Sequence, residues 1–159
     1  MFFKRKKKKE EDSESSKLVK LKPLNYPPKI LVGWAEAIAG NTALRDWFLA
    51  SEHYKELGIS IHALLLKDDA RDWLMKNGYA HLMAMINGAE GNKEAIHWLD
   101  KAGFKTLKHV ALAGDRDEDA FQWLIKNGHP EFAMIAEKIR VLKDQIEDTH
   151  NDIHSFGKD

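Results

Sequence analysis

From residue 27 onward the apolar positions fall in short stripes at helical spacing, each closed by a glycine or by an Asp or Asn. Between Asn92 and Ala102 the apolar set is Ala95, Ile96, Trp98 and Leu99; beyond Gly103 it resumes as Leu107, Val110 and Ala111. Recurrence at three and four residues places each set on one face of a helix. The spacing predicts a pair of short helices. The first is stopped by Gly103, because a helix commonly ends in a left-handed residue that glycine adopts at little cost. The second is expected to break at Gly114-Asp115.

This pair recurs along the chain. Trp47, Trp73, Trp98 and Trp123 are separated by 26, 25 and 25 residues. Three positions before them stand Leu44, Ala70, Ala95 and Ala120, and directly after them Phe48, Leu74, Leu99 and Leu124. Five positions after the last three Trp come Gly78, Gly103 and Gly128, followed by Tyr79, Phe104 and His129. Leu82, Leu107 and Phe132 lie four beyond each glycine. The first copy carries one extra residue around Ser51–His53 before Tyr54 and Leu57 rejoin the pattern. A fixed period with so many coincident positions is the mark of a repeat array. Trp47, Trp73, Trp98 and Trp123 are expected to form its core with Leu31, Leu57, Leu82, Leu107 and Phe132. Gly78, Gly103 and Gly128 are its expected helix stops, and Asp68, Asn92 and Asp115 its expected helix caps.

The array is read as a half unit at 27–40 and units at 42–67, 68–91, 92–115 and 117–149. Pro27 and Pro28 suit a first helical turn, and Ile30, Leu31, Trp34, Ala35 and Ile38 form the apolar face of the opening helix. The closing helix is longer. Phe132, Ile135, Ile139, Leu142 and Ile146 extend its stripe from Pro130 to about Thr149. Its first part must cap the last repeat, since an open end of a stack exposes apolar surface. The part beyond Leu142 is expected to fold back as well, with dimerisation or partner docking as the alternative. Residues 150–159 read as a flexible C-terminal tail.

The unit resembles helical-hairpin solenoids, the class of HEAT, tetratricopeptide and ankyrin arrays, although it is shorter and lacks the Thr-Pro-Leu-His turn of ankyrin. More narrowly, Trp-Leu-x-x-x-Gly-aromatic followed by Leu, Ala and Gly-Asp is similar to small bacterial proteins of tandem short α-helical repeats. The resemblance covers residues 24–146. It implies an all-α fold, a small right-handed α-solenoid with a longer C-terminal capping helix, and implies no particular activity.

Charge adds a second feature. The 159 residues carry 25 Lys and Arg and 25 Asp and Glu, a net charge of zero. Nine of those cations and four of the acids fall in residues 1–22, leaving the rest of the chain 16 against 21, a net of −5. Most of the positive charge is the run Lys4, Arg5, Lys6, Lys7, Lys8 and Lys9, preceded by Met1, Phe2 and Phe3. Residues 1–22 read as a disordered polybasic and acidic tail, because nothing from Lys4 to Ser16 is apolar enough to repay ordering. Such a tail suits an anionic membrane surface, nucleic acid or ribosomes, or an acidic protein. It has no apolar h-region, so no secretory signal is expected, and no apolar run approaches the roughly 20 residues of a membrane span. The expected location is the cytoplasm, with the inner face of the membrane as a variant.

Candidate chemistry is thin. The chain has no cysteine, which excludes disulfides, cysteine nucleophiles and thiolate metal sites. His150 and His154 are four apart and would share a helical face, but a structural zinc site wants four ligands. Asp115, Asp117 and Asp119 open like a calcium loop, yet the sixth and twelfth positions are Ala120 and Lys126. No nucleophile elbow, phosphate loop, dinucleotide fingerprint or HExxH occurs. Neither a cofactor nor enzyme activity is expected. The leading expectation is a non-enzymatic protein–protein adaptor or scaffold, followed by a nucleic-acid- or ribosome-associated protein, then a peripheral membrane adaptor. Partner contacts are assigned to Trp34, which falls outside the Trp register, and to His81, Lys105 and Glu131 near the starts of second helices.

Overall fold

The structure, a computed structural model, describes residues 19–156, and side chains for 19–150. Among these residues there are nine helices and no strand. They are α1 (Pro28–Ile38), α2 (Thr42–Ala50), α3 (Lys55–Leu64), α4 (Asp68–Lys76), α5 (Ala80–Ala89), α6 (Lys93–Lys101), α7 (Lys105–Gly114), α8 (Glu118–Lys126) and α9 (Pro130–Phe156). The fold is therefore all-α, an array of consecutive short helices ending in a long one. The last helix continues to Phe156, past the expected end near Thr149 and into the stretch expected to be a tail.

Two rows of helices result. The even-numbered helices α2, α4, α6 and α8 contribute few buried side chains, chiefly Phe48, Leu74, Leu99 and Leu124. The odd-numbered helices pack on one another in sequence, α1 on α3, α3 on α5, α5 on α7 and α7 on α9. One register position explains that inner row. Trp34, Ser60, Met85, Val110 and Ile135 are equivalent and all fully buried. The large indole of Trp34 sits beside the smallest member of the set, and its Nε1–H donates to Ser60 Oγ at 3.0 Å. Trp34 is thus a core residue and not the partner contact expected of it. It lies outside the Trp register because it belongs to the second-helix register.

The array is also closed. Helix α9 packs on α7 and, at the other end of the array, on α1. Lys143 on α9 donates to the Ala89 carbonyl and pairs with Asp115 at 3.0 Å, and Arg116 pairs with Asp144. The end of the array that α9 was expected to cap is therefore joined to its beginning.

Joints between helices follow local chemistry. Asn41, Asn92 and Asp117 accept from the backbone N–H three residues on, each at 3.0 Å, and cap α2, α6 and α8. Asp68 and Asp115 do not serve as caps: Asp68 is the first residue of α4, whose N-cap is Lys67, and Asp115 faces Lys143. Helix α7 ends at Gly114 with Asp115 as its C-cap, as expected, and Gly114 itself lies close against Ile139. The left-handed residue of that joint is Arg116 (φ +73°), in register with Leu66 (φ +66°), Gly91 and Gly40.

Candidate functional site: an aromatic rim carrying an extended segment

Gly78, Gly103 and Gly128 follow the first helices with φ of +90°, +85° and +79°. The chain turns there, and the next residue is an aromatic or histidine at the start of the second helix. These turns lie along one rim of the array. The repeat Trp residues lie on that rim too, which corrects their expected place in the core. Trp47 is 52% exposed and Trp98 39%, while Trp73 and Trp123 are half-buried. The reason is angular: consecutive helical residues point about 100° apart, and the centre of each interface is taken by the residue after the Trp. Each indole instead lies over the turn. Trp47 stacks on Tyr54, Trp73 on Tyr79, Trp98 on Phe104 and Trp123 on His129, at centroid distances of 5.8–6.3 Å.

Successive units connect through these rings. His81 stacks on Tyr79 and meets the edge of Phe104 at 5.2 Å, and His109 stacks on Trp123 at 3.7 Å. Lysines lie over them. Lys55, the first residue of α3, stands 5.7 Å from the Trp73 ring, and Lys105, the first of α7, stands 5.7 Å from Trp123. A cation over an indole face is attracted by the ring quadrupole, by about 0.5–1 kcal/mol at exposed sites. The equivalent first residue of α5 is Ala80, so Trp98 has no lysine from that position.

The rim is occupied over its first half by the chain itself. Residues 19–26 carry no regular secondary structure and lie across the turn between α4 and α5. Lys22 N–H donates to the Gly78 carbonyl at 2.9 Å, and its carbonyl accepts from His81 Nε2 at 2.7 Å. Leu82 N–H donates to His81 Nδ1 at 3.2 Å, so the ring is neutral with its proton on Nε2. Burial pushes the His81 pKa down, against the opposing pull of the backbone at Lys22 and Tyr79. Lys22 Nζ stands 5.5 Å above the Tyr79 ring. One unit earlier, Tyr26 donates to Glu56 Oε1 at 2.7 Å and meets the edge of Tyr54. Burial and Glu56 raise the Tyr26 hydroxyl well above the usual phenol range, and the same two causes push Tyr79 up to about 12.

Glu56 and His81 occupy the same register position, one before Leu57 and Leu82. This strap therefore runs along a row of equivalent positions, against the order of the units, its two anchor points Lys22 and Tyr26 lying four residues apart. Four extended residues span about 13 Å. The boundary expected at residue 22 falls in the middle of the strap, and residues 19–22 belong with the array. His81, assigned to a partner, is buried and holds the strap instead. Neither Tyr26 nor Lys22 was singled out from the sequence: both precede α1, and one period before Tyr54 the chain has Pro28 and not either of them.

The remaining candidates stand as follows. Lys105 is exposed on the rim and Glu131 is half-buried at the start of α9. Leu31, Leu57, Leu82 and Leu107 are buried, and Phe132 is half-buried against the core. His150 is exposed near the end of the described side chains, and the side chain of His154 lies outside them, as do Lys4, Arg5, Lys6, Lys7, Lys8 and Lys9. Among the described residues no group of three or more His, Asp or Glu could hold a metal ion. No described helix is long and apolar enough to cross a membrane. A cleft where the α7–α8 joint meets α9 is lined by Arg116, Arg140, Asp117, Glu118 and Glu137, side chains of both signs. Compared with family models, with curated proteins and with solved structures, the chain matches none.

Proposed function

We propose that this chain is a non-enzymatic binding module of the cytoplasm, an adaptor whose aromatic rim holds an extended segment of a protein partner. One observation carries the reading: residues 20–26 already lie on the rim as a bound peptide would, through backbone hydrogen bonds to Gly78 and His81. Backbone pairing supplies affinity in such a mode and side-chain pockets supply selectivity. The turn of the rim recurs along the array, with Gly103 and Gly128 in the left-handed conformation of Gly78 and an aromatic ring or histidine after each, while Thr106 and Glu131 stand where His81 does. The polybasic run at residues 4–9 supports a second reading, electrostatic tethering to RNA, ribosomes or an anionic membrane, since the body carries net negative charge.

Selection of short random peptides on the immobilised full chain, followed by hydrogen-exchange footprinting of the complexes, tests the first reading. The expected result is protection at Phe104, Lys105 and Thr106, or release of the strap. Footprints confined to other surfaces would overturn it. Retention of RNA or anionic vesicles by the full chain and not by residues 19–159 would move the second reading ahead.

A further inference from the structure

The rim offers the strap's site more than once. At Gly78 the space into which a Cβ would point is filled by the strap: the Lys20 carbonyl oxygen would be 2.6 Å away and Lys22 Cγ 3.2 Å. At Gly103, with nearly the same φ, nothing among the described residues lies within 4 Å of that point. The side chain that holds the strap, His81, is replaced there by Thr106, and the ring under the strap's lysine, Tyr79, by Phe104. Trp98 stacks on Phe104 and is 39% exposed. Its homologues Trp73 and Trp123 are each covered by a lysine from the preceding second helix, whereas the corresponding position is Ala80.

We propose that the Gly103–Thr106 turn with Trp98 is a binding site for an extended, lysine-bearing peptide segment of another polypeptide. The segment runs in the same direction as the strap and places an ammonium over the Trp98–Phe104 pair. The proposal rests on the reading of the rim as a peptide-binding surface and adds which unit is open and what chemistry fills it. Three observations converge on the cation. The strap itself sets Lys22 over Tyr79, two of the repeat Trp residues carry a lysine, and residues 23–159 have a net charge of −5. The backbone of the bound segment lies over Gly103, where a side chain would obstruct it as a Cβ at Gly78 would obstruct the strap.

The test uses the full chain, 15N-labelled, titrated with a blocked synthetic peptide of the strap's own sequence, Val-Lys-Leu-Lys-Pro-Leu-Asn-Tyr. The expected result is saturable shifts at the Trp98 indole N–H and at the Gly103 and Thr106 amides. Ala80→Lys supplies the missing lysine from within the chain and should weaken binding at least tenfold. Its fold is checked by the unchanged remainder of the spectrum, and Trp98→Leu provides a second variant with the same expected loss. Shifts confined to Tyr79 and His81, meaning that the peptide only displaces the strap, would overturn the proposal, as would equal affinity for Ala80→Lys. A peptide with both lysines replaced by norleucine separates the two levels. If it binds at Gly103 as tightly, the cation is wrong and the peptide-binding reading stands; if neither peptide shifts any rim residue, both fall.

Discussion

Gly78→Ala and Gly103→Ala form a matched pair that isolates the strap. Both glycines end a first helix in the left-handed region, at φ +90° and +85°. An L-residue there costs about 1–2 kcal/mol, partly offset by the lower unfolded-state entropy of alanine, about 0.4–1 kcal/mol. Gly103→Ala should therefore lose about 1 kcal/mol, since its Cβ meets nothing within 4 Å among the described residues. At Gly78 the new methyl would lie 2.6 Å from the backbone oxygen of Lys20. Backbone atoms cannot swing aside as a side-chain tip can, so the strap must lift. The extra cost is then bounded by what seats the strap. That is two hydrogen bonds at Lys22, worth about 0.5–1.5 kcal/mol each, and one cation over Tyr79, worth about 0.5–1 kcal/mol. Against these stands the backbone entropy that release restores. Gly78→Ala should thus lose about 1–3 kcal/mol more than Gly103→Ala. Urea denaturation followed by tryptophan fluorescence measures both, with similar slopes confirming that the transitions are comparable. Equal losses, to within about 0.5 kcal/mol, would refute the seating of the strap on Gly78.

Other outcomes follow from the same structure. Trp34→Ala should cost about 3–5 kcal/mol as a truncation in the core, whereas Trp98→Ala, 39% exposed, should leave a folded protein; calorimetry of the two variants checks the order, and the reverse order would put the core on the wrong helices. Leu66→Gly removes a left-handed leucine (φ +66°) that is 55% exposed. It should gain up to about 1 kcal/mol after the entropic cost of glycine, read as a higher Tm, and a lower Tm would contradict the strain. His81 is held neutral by burial, its pKa below the ordinary 6.5. The unfolded chain then takes up the proton first, so the His81 contribution is complete above pH 6.5 and is lost as pH falls below it. The stability advantage of the native chain over His81→Gln should narrow between about pH 7.5 and about pH 5.5; a constant gap would sink the assignment.

Much of the architecture was legible because it is periodic. The Trp spacing located the four first helices, and the glycines at 78, 103 and 128 located the ends of the last three. What the period could not show was which of two neighbouring apolar positions faces the core. Trp47 and Phe48 are both large and apolar, and only packing decides that the phenyl ring is buried and the indole lies across the turn. Trp34 misled for a related reason: its register partners Ser60, Met85, Val110 and Ile135 share no residue type, so their equivalence shows in burial and not in identity. Closure of α9 on α1 joins the two ends of the array, beyond any local pattern. The strap was hidden because Lys20–Tyr26 is an extended stretch of mixed character. Its anchors are main-chain groups of Lys22 and Gly78, which the identities of the side chains do not announce.

Amide hydrogen exchange at Lys22 in the full chain tests the central claim most directly. This N–H is bonded to the Gly78 carbonyl, outside any helix. The account predicts exchange well below the intrinsic rate, with protection lost in Gly78→Ala and retained in Gly103→Ala. Exchange at the intrinsic rate in the native chain would contradict the rim as a surface that holds extended polypeptide.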